Sequence, residues 1–305
     1  MNAISKFFAL SRTTHGILDL AAPGFCALLW LGHFPPGQTI LLSLATAFAA
    51  YTAIYALNDL LGIRCDREKS GTPKAGQAYS VEASAQRHPL AQGLLSVRSG
   101  LLWMCSWLML ALIGSYVMNP TIVWVLLAAT GLEALYCKLQ NVTPFRTLVS
   151  GMVKSAGQMA AVLVVDRQPA PFFLFLLFAW VFTWEIGGQN IPSDWNHNDD
   201  DQRAAATSIP IRYGLRKAGL LILSMVTLTV SVSAFLPMFS PAHLGWVYLL
   251  ASVVVGYFLL LRPAYELYRS QATNAGARLF DRASYYPLAQ MLLIAGVILG
   301  GEILA

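Results

Sequence analysis

The sequence predicts an all-α polytopic membrane protein of about nine transmembrane helices with its N-terminus in the cytoplasm. Three observations carry that prediction. Of the 305 residues 56% are hydrophobic and only 11% charged, against roughly 25% charged in ordinary soluble domains. Nine segments approach the roughly 20 apolar residues that a helix needs to cross a hydrocarbon layer about 30 Å thick. The basic residues crowd into alternate connections between these segments.

In chain order the segments centre on Ile17–Phe34, Thr39–Leu57, Gly100–Val117, Thr121–Tyr136, Thr147–Val165, Pro171–Ile191, Ala218–Leu236, Leu244–Leu261 and Ser284–Leu304. The first begins only after the polar stretch Ser11–Gly16, and no small-residue cleavage pattern follows a basic start, so a removed signal peptide is not expected. The second runs into an acidic stretch. The fourth is the shortest and is bounded by Asn119–Pro120. The sixth contains "FFLFLLFAWVFTW", a run without charge that leads into a second acidic stretch.

Lys and Arg in short loops are retained on the cytoplasmic side. With the N-terminus inside, cytoplasmic segments hold 18 of the 20 basic residues, while the opposite side keeps Arg167 and Lys154 lies within a span. The net charge of +5 therefore reflects loop bias rather than nucleic-acid binding. Outer connections, around Asn119–Pro120, Asp166–Ala170 and Pro237–His243, are short and nearly uncharged. Chemistry belongs on the inner face. The four cysteines, Cys26, Cys65, Cys105 and Cys137, have no metal or redox spacing and read as structural.

Two acidic stretches stand at the inner ends of spans. The second helix ends in "YALNDLLGIRCDREKSG", with Asn58, Asp59 and Asp66. The sixth leads into "SDWNHNDDDQR", with Asp194, Asn198 and Asp201. A calcium loop does not explain the latter, because the glycine and bidentate glutamate it requires are replaced by Asp199 and Ala205. Asp59 and Asp66 are seven apart, as are Asp194 and Asp201. Seven residues return a helical side chain to within about 20° of its starting direction. Each pair can thus project two carboxylates from one helix face, and two such faces form a cluster that like-charge repulsion opposes. A hard divalent cation relieves it: Mg2+ binds through one or two carboxylates and keeps waters and phosphate oxygens in its shell. Arg67, Lys69, Arg203 and, after the fourth span, Tyr136, Lys138 and Arg146 ring the acids, which suits a diphosphate. The plainer reading is that both stretches are solvated loop ends, and two motifs of equal spacing on one membrane face weigh against it.

These residues resemble the UbiA superfamily of intramembrane prenyltransferases. Its first signature, N-D-x-x-D-x-x-x-D continuing to R-x-P-L-x-x-G, is matched by "NDLLGIRCD" from Asn58 and "RHPLAQG" from Arg87. Its second, D-x6-D running on to a T/S-[LI]-P-x-x-x-G stretch, is matched by "DWNHNDDDQRAAATSIPIRYG" from Asp194 to Gly214. Tyr136 and Lys138 in "LYCKLQN" are similar to the family's polar motif after the fourth helix. The likeness covers essentially the whole chain, so residues 1–305 are expected to form one UbiA-like domain. The resemblance implies nine helices ringed around a cavity open to lipid, with both motifs capping it. It also implies that Mg2+ holds an isoprenoid diphosphate there and that the prenyl group passes to an acceptor, usually an aromatic ring. There are two departures. Gly62 stands where the first signature has its middle aspartate, and Asn198 where relatives often have an acid. Fewer carboxylates imply a weaker or differently placed metal pair. The segment Arg67–Gln86 is also longer than in many relatives, and reads equally as a lid or as a passive linker.

The expected metal set is Asn58, Asp59, Asp66, Asp194 and Asp201, with Lys138 completing the catalytic group. Arg67, Tyr136, Arg146, Lys154, Glu185, Asn198 and Arg203 are expected at the substrate. Lys154, inside the fifth span, can reach the diphosphate. Glu185, four before Gln189 on the sixth, can orient or deprotonate an acceptor hydroxyl. Equally, Lys154 and Glu185 can form a structural ion pair, since intramembrane charges persist by pairing. Asp19, Glu133 and Arg12 say less. Of the five histidines only His88 and His197 lie near the motifs. His197 and Asp201, four apart, can in principle share a metal, but without another nitrogen ligand at useful spacing no transition-metal site is expected, and an exposed loop histidine is the reading there. Two other functions compete. A membrane terpene cyclase would ionise the same diphosphate and quench the cation internally. A transporter would place ionisable groups near mid-membrane and show internal repeats, whereas the acids here lie at one rim.

Overall fold

The computed structural model describes residues 3–69, 88–196, 207–240 and 244–304. The loop read as lid or linker lies, from residue 70 onward, outside the described residues, as do His197, Asn198, Asp201 and Arg203. Every regular element described is helical. Nine helices among the described residues are long and apolar enough to span a membrane: Thr13–Leu31, Gly37–Arg67, Val97–Met118, Pro120–Lys138, Arg146–Val165, Pro171–Asn196, Leu215–Phe239, Gly245–Ser270 and Thr273–Gly300. They follow the sequence order one for one and are called the first to ninth spans below.

The short fourth span forms because its start is well specified. Pro120 takes the first helical position, where a missing N–H costs nothing, and the Asn119 side chain accepts from Thr121 N. Asn119 Nδ2 also donates to Leu163 O at 2.8 Å, fixing this helix to the fifth span. The second span belongs to a helix of 33 residues, Gly37–Lys69, about 50 Å long at 1.5 Å per residue. It outruns the hydrocarbon layer and carries Asn58, Asp59 and Asp66 on one uninterrupted helix.

Other spans are interrupted where polar groups enter the interior. The first divides into Thr13–Asp19 and Ala21–Leu31, with Asp19 buried at the break. The sixth passes from α-helix through a π-helical turn, Glu185–Asn190, before resuming at Ile191. Such turns recur at functional sites because the extra residue re-aims side chains. Gly187 in this turn permits close packing on the seventh span, since a Cβ there would fall 2.6 Å from Met225 Cβ. At Gly114 of the third span an added Cβ would collide with Thr46 of the second. Small residues let helices approach in lipid, where dispersion contacts replace the hydrophobic drive.

The largest apolar core joins the first, sixth, seventh, eighth and ninth spans and includes Phe25, Trp180, Trp195 and Tyr286. Two smaller clusters bind the second, third and fourth spans. Outward faces stay apolar, with Leu102, Trp124 and Trp246 at least 70% exposed, a surface suited to lipid rather than water. Between the two groups of spans lies a cavity of about 1480 Å³, walled mainly by the first, second, fourth, fifth and sixth spans, with Phe280 and Met291 from the ninth.

Candidate active site

The seven-residue spacing brings Asp59 and Asp66 to one side of the second span, where both meet His88. Its Nδ1 lies 2.7 Å from Asp59 Oδ1 and 2.9 Å from Asp66 Oδ2. The ligand atoms of these three residues all fall within 4.8 Å of one another. Asp59 is 3% exposed, and its Oδ2 has no hydrogen-bond partner. The His88 side chain is itself only 16% exposed. Local spacing offers His88 no second nitrogen, whereas its ring meets the carboxylates of Asp59 and Asp66, 29 and 22 residues earlier in the chain. Asn58, beside Asp59, accepts from Arg12 Nη2 at 3.3 Å and donates to the Glu133 carboxylate.

The second motif is organised by Arg146. Its Nη2 donates to Asp194 Oδ1 at 2.7 Å, its Nη1 to the Tyr136 oxygen at 3.2 Å, and its guanidinium carbon lies 5.0 Å from the centre of the Tyr136 ring. Asn190 Nδ2 donates to the same phenol oxygen at 3.1 Å. A phenol oxygen has two lone pairs, so two N–H donors leave the Tyr136 hydroxyl hydrogen to donate elsewhere. Tyr136, Arg146, Asn190 and Asp194 all line the cavity.

Lys138 does not join them. Two residues apart on a helix is about 200° of rotation, so Tyr136 and Lys138 cannot share a face. Tyr136 lines the cavity, while Lys138 is exposed outside its walls. Arg67 is likewise exposed. Asn58, Gly62, Asp66 and His88 line the cavity, whereas Asp59 is buried and is not part of its lining.

Farther along the cavity Lys154 donates to Asp19 Oδ2 and, at 3.0 Å, to the Tyr55 oxygen, while the Tyr55 hydroxyl donates to Asp19. His15 Nε2 approaches Asp19 Oδ1 at 3.7 Å. The Lys154–Glu185 pair weighed from sequence is not formed. Ser150, four residues before Lys154 on the same face, donates to Glu185 Oε1 at 2.6 Å. Glu185 Oε2 is buried without a hydrogen-bond partner. Glu185 and Gln189 both line the cavity, but Gln189 is engaged by the ninth span, donating to Phe280 O at 3.2 Å and Ser284 Oγ at 3.3 Å. Asp19, Glu133 and Arg12 thus have structural partners that cannot be chosen from the sequence. The available signal was that each is an ionisable group in or beside a span.

Residues 20–292 match the profile of the UbiA prenyltransferase family. The chain belongs to that family. No curated protein matches it. Among solved structures it resembles a digeranylgeranylglyceryl phosphate synthase, at 17% identity and TM-score 0.67 over 98% of this chain and 99% of that one. A UbiA homologue from Archaeoglobus fulgidus, bound to GPP and Mg2+, gives 14% identity and TM-score 0.69 over 95% and 99%. The apo UbiA homologue from Aeropyrum pernix K1 gives 15% and 0.66 over 99% of both chains. At these identities the likeness establishes the fold.

The donor set fits a divalent cation. Asp59, Asp66 and His88 converge, a buried carboxylate oxygen of Asp59 is unpartnered, and Asp194 presents a further carboxylate to the same cavity.

Proposed function

We propose that this UbiA family member transfers a prenyl group from an isoprenoid diphosphate to an acceptor, usually an aromatic ring, within the membrane, in a manner that depends on Mg2+. One observation carries the reading. Asp66 of the first signature and Asp194 of the second line one apolar cavity that is large for a small-molecule pocket, which typically holds about 300–1,000 Å³. The A. fulgidus homologue's GPP and Mg2+ support it.

A bound Mg2+ supplies Lewis-acid stabilisation of the departing diphosphate. Asp59, Asp66, Asp194 and Asp201 would hold it, with Asn58 beside them. The chain's own cations do the rest. Arg146 presents its guanidinium at the cavity wall, and the Tyr136 hydroxyl donates to a diphosphate oxygen, so the negative charge that develops as the allylic C–O bond breaks meets fixed donors. Arg203 and Asn198 are assigned to the diphosphate end from the second signature, whereas Lys138 and Arg67, expected there from the sequence, are exposed outside the cavity wall. The apolar walls accept the isoprenoid tail and exclude water, so the carbocation meets the acceptor first. Tyr51 and Tyr55 line this region, and aromatic faces stabilise a cation by about 0.5–2 kcal/mol each. Glu185, with a free carboxylate oxygen, orients the acceptor hydroxyl or takes its proton. Lys154, tied to Asp19, serves the same chamber. The basic-residue bias puts the motif end on the cytoplasmic side, and residues 1–305 act as one domain.

The test is purified protein in lipid with geranyl diphosphate, with and without an aromatic acceptor, in Mg2+ or EDTA, with products read by mass spectrometry. A prenylated acceptor formed only with Mg2+ is the expected result. Hydrocarbon made without acceptor would assign cyclisation instead, and full turnover in EDTA would remove the metal from the reaction.

A further inference from the structure

The first signature departs from its family pattern at Gly62, and the structure shows what stands there. A Cβ on Gly62 would fall 2.8 Å from Asp66 Oδ2. The missing side chain therefore leaves room for the Asp66 carboxylate to lie back over its own helix. That same oxygen is 2.9 Å from His88 Nδ1, and Asp59 Oδ1 is 2.7 Å from it. His88 adopts a left-handed backbone, φ 60°, a conformation uncommon outside glycine although tolerated by histidine. The other Asp59 oxygen is buried, on a residue 3% exposed, and has no partner.

We propose that Asp59, Asp66 and His88 form a mixed oxygen and nitrogen site for a divalent transition ion of the Mn2+ type, with His88 Nδ1 as a direct ligand. The imidazole stands in for the carboxylate that Gly62 cannot supply. The geometry is close to ready. In an octahedral shell with bonds of about 2.1 Å, neighbouring donors lie about 3.0 Å apart, near the 2.7 and 2.9 Å separations of Nδ1 from the two carboxylates. The orphaned Asp59 oxygen offers a further lone pair at the same place. Mg2+ favours an all-oxygen shell, whereas imidazole suits transition ions. This site should therefore prefer Mn2+ over Mg2+ more strongly than an all-carboxylate site does.

The inference rests on the functional reading for its location but is tested apart from it. Mn2+ alone is titrated into the purified full chain, with binding followed by electron paramagnetic resonance and the ligands by pulsed detection of 14N coupling. Wild type should bind Mn2+ and show nitrogen coupling. His88→Gln should lose that coupling and bind at least about tenfold more weakly, since even indirect partners of a metal ligand contribute 10–100-fold. His88→Asp, which returns a carboxylate at a left-handed position that aspartate tolerates, should recover affinity without nitrogen coupling, which also shows that the variant is folded. Absence of Mn2+ binding overturns the proposal. So does bound Mn2+ without nitrogen coupling, which makes His88 a counter-cation of the aspartates, or coupling that survives in His88→Gln. Prenyl transfer with Mg2+ alongside a missing nitrogen signal sinks this inference alone. Nitrogen coupling without transfer to any acceptor sinks only the functional reading.

Discussion

The Lys154 ammonium is neutralised by Asp19, 135 residues away on the first span, and not by Glu185 on the neighbouring sixth. Both partners are nearly buried, with side-chain exposures of 13% and 4%. Removing one charge strands the other, at a cost of roughly 3–5 kcal/mol, whereas removing both can be nearly neutral. Lys154→Met and Asp19→Asn should each lower the thermal unfolding midpoint markedly, and the double variant should regain most of the loss. Additive losses in calorimetry of the detergent-solubilised protein would show that the pair is not coupled.

Arg146 and Lys138 should separate sharply. Arg146 joins Asp194 to Tyr136 at the cavity wall, while Lys138 is exposed on the far side of its helix. A charge-assisted hydrogen bond is worth about 1.5–3 kcal/mol, and lysine cannot reproduce the forked contact. Arg146→Lys should therefore reduce kcat/KM for the diphosphate by about tenfold or more. Lys138→Ala should change it little. The reverse order in steady-state kinetics would return the role to Lys138.

Gly62→Ala should divide stability from metal use. Alanine favours helix over glycine by about 1 kcal/mol, so the unfolding midpoint should hold or rise. The new Cβ, however, displaces the Asp66 carboxylate that it would otherwise meet at 2.8 Å. The Mg2+ concentration for half-maximal diphosphate release should increase roughly several-fold, as expected for one displaced ligand. An unchanged Mg2+ titration would mean that Asp66 works equally well from another rotamer.

Glu185→Gln keeps the side-chain shape and the contact with Ser150 but removes the base. If the free carboxylate oxygen takes a proton from the acceptor, prenylation should fall by roughly 10²-fold or more, with geranyl diphosphate binding unaltered. Normal rates by product quantification would limit Glu185 to a packing role.

The nine spans and the face shared by Asp59 and Asp66 were legible in the sequence, because hydropathy and helical periodicity are local properties of a chain in lipid. Asp194 and Arg146 were legible as candidate site residues, but not their contact. Lys138 was expected at the site with Tyr136 from the motif the two form, but helical rotation turns them to different faces and leaves Lys138 exposed. Only the tertiary structure decided that Asp19 rather than Glu185 answers Lys154, that His88 closes on the first aspartate pair, and that Gly62 makes room for Asp66. Each of those depends on which helices meet and where the chain breaks, at Leu20 or through the π-helical turn at Glu185–Asn190. A buried charge needs a partner, and the sequence can state that need. Which partner answers is a matter of distance between segments far apart in the chain, and the packing of the spans sets that distance.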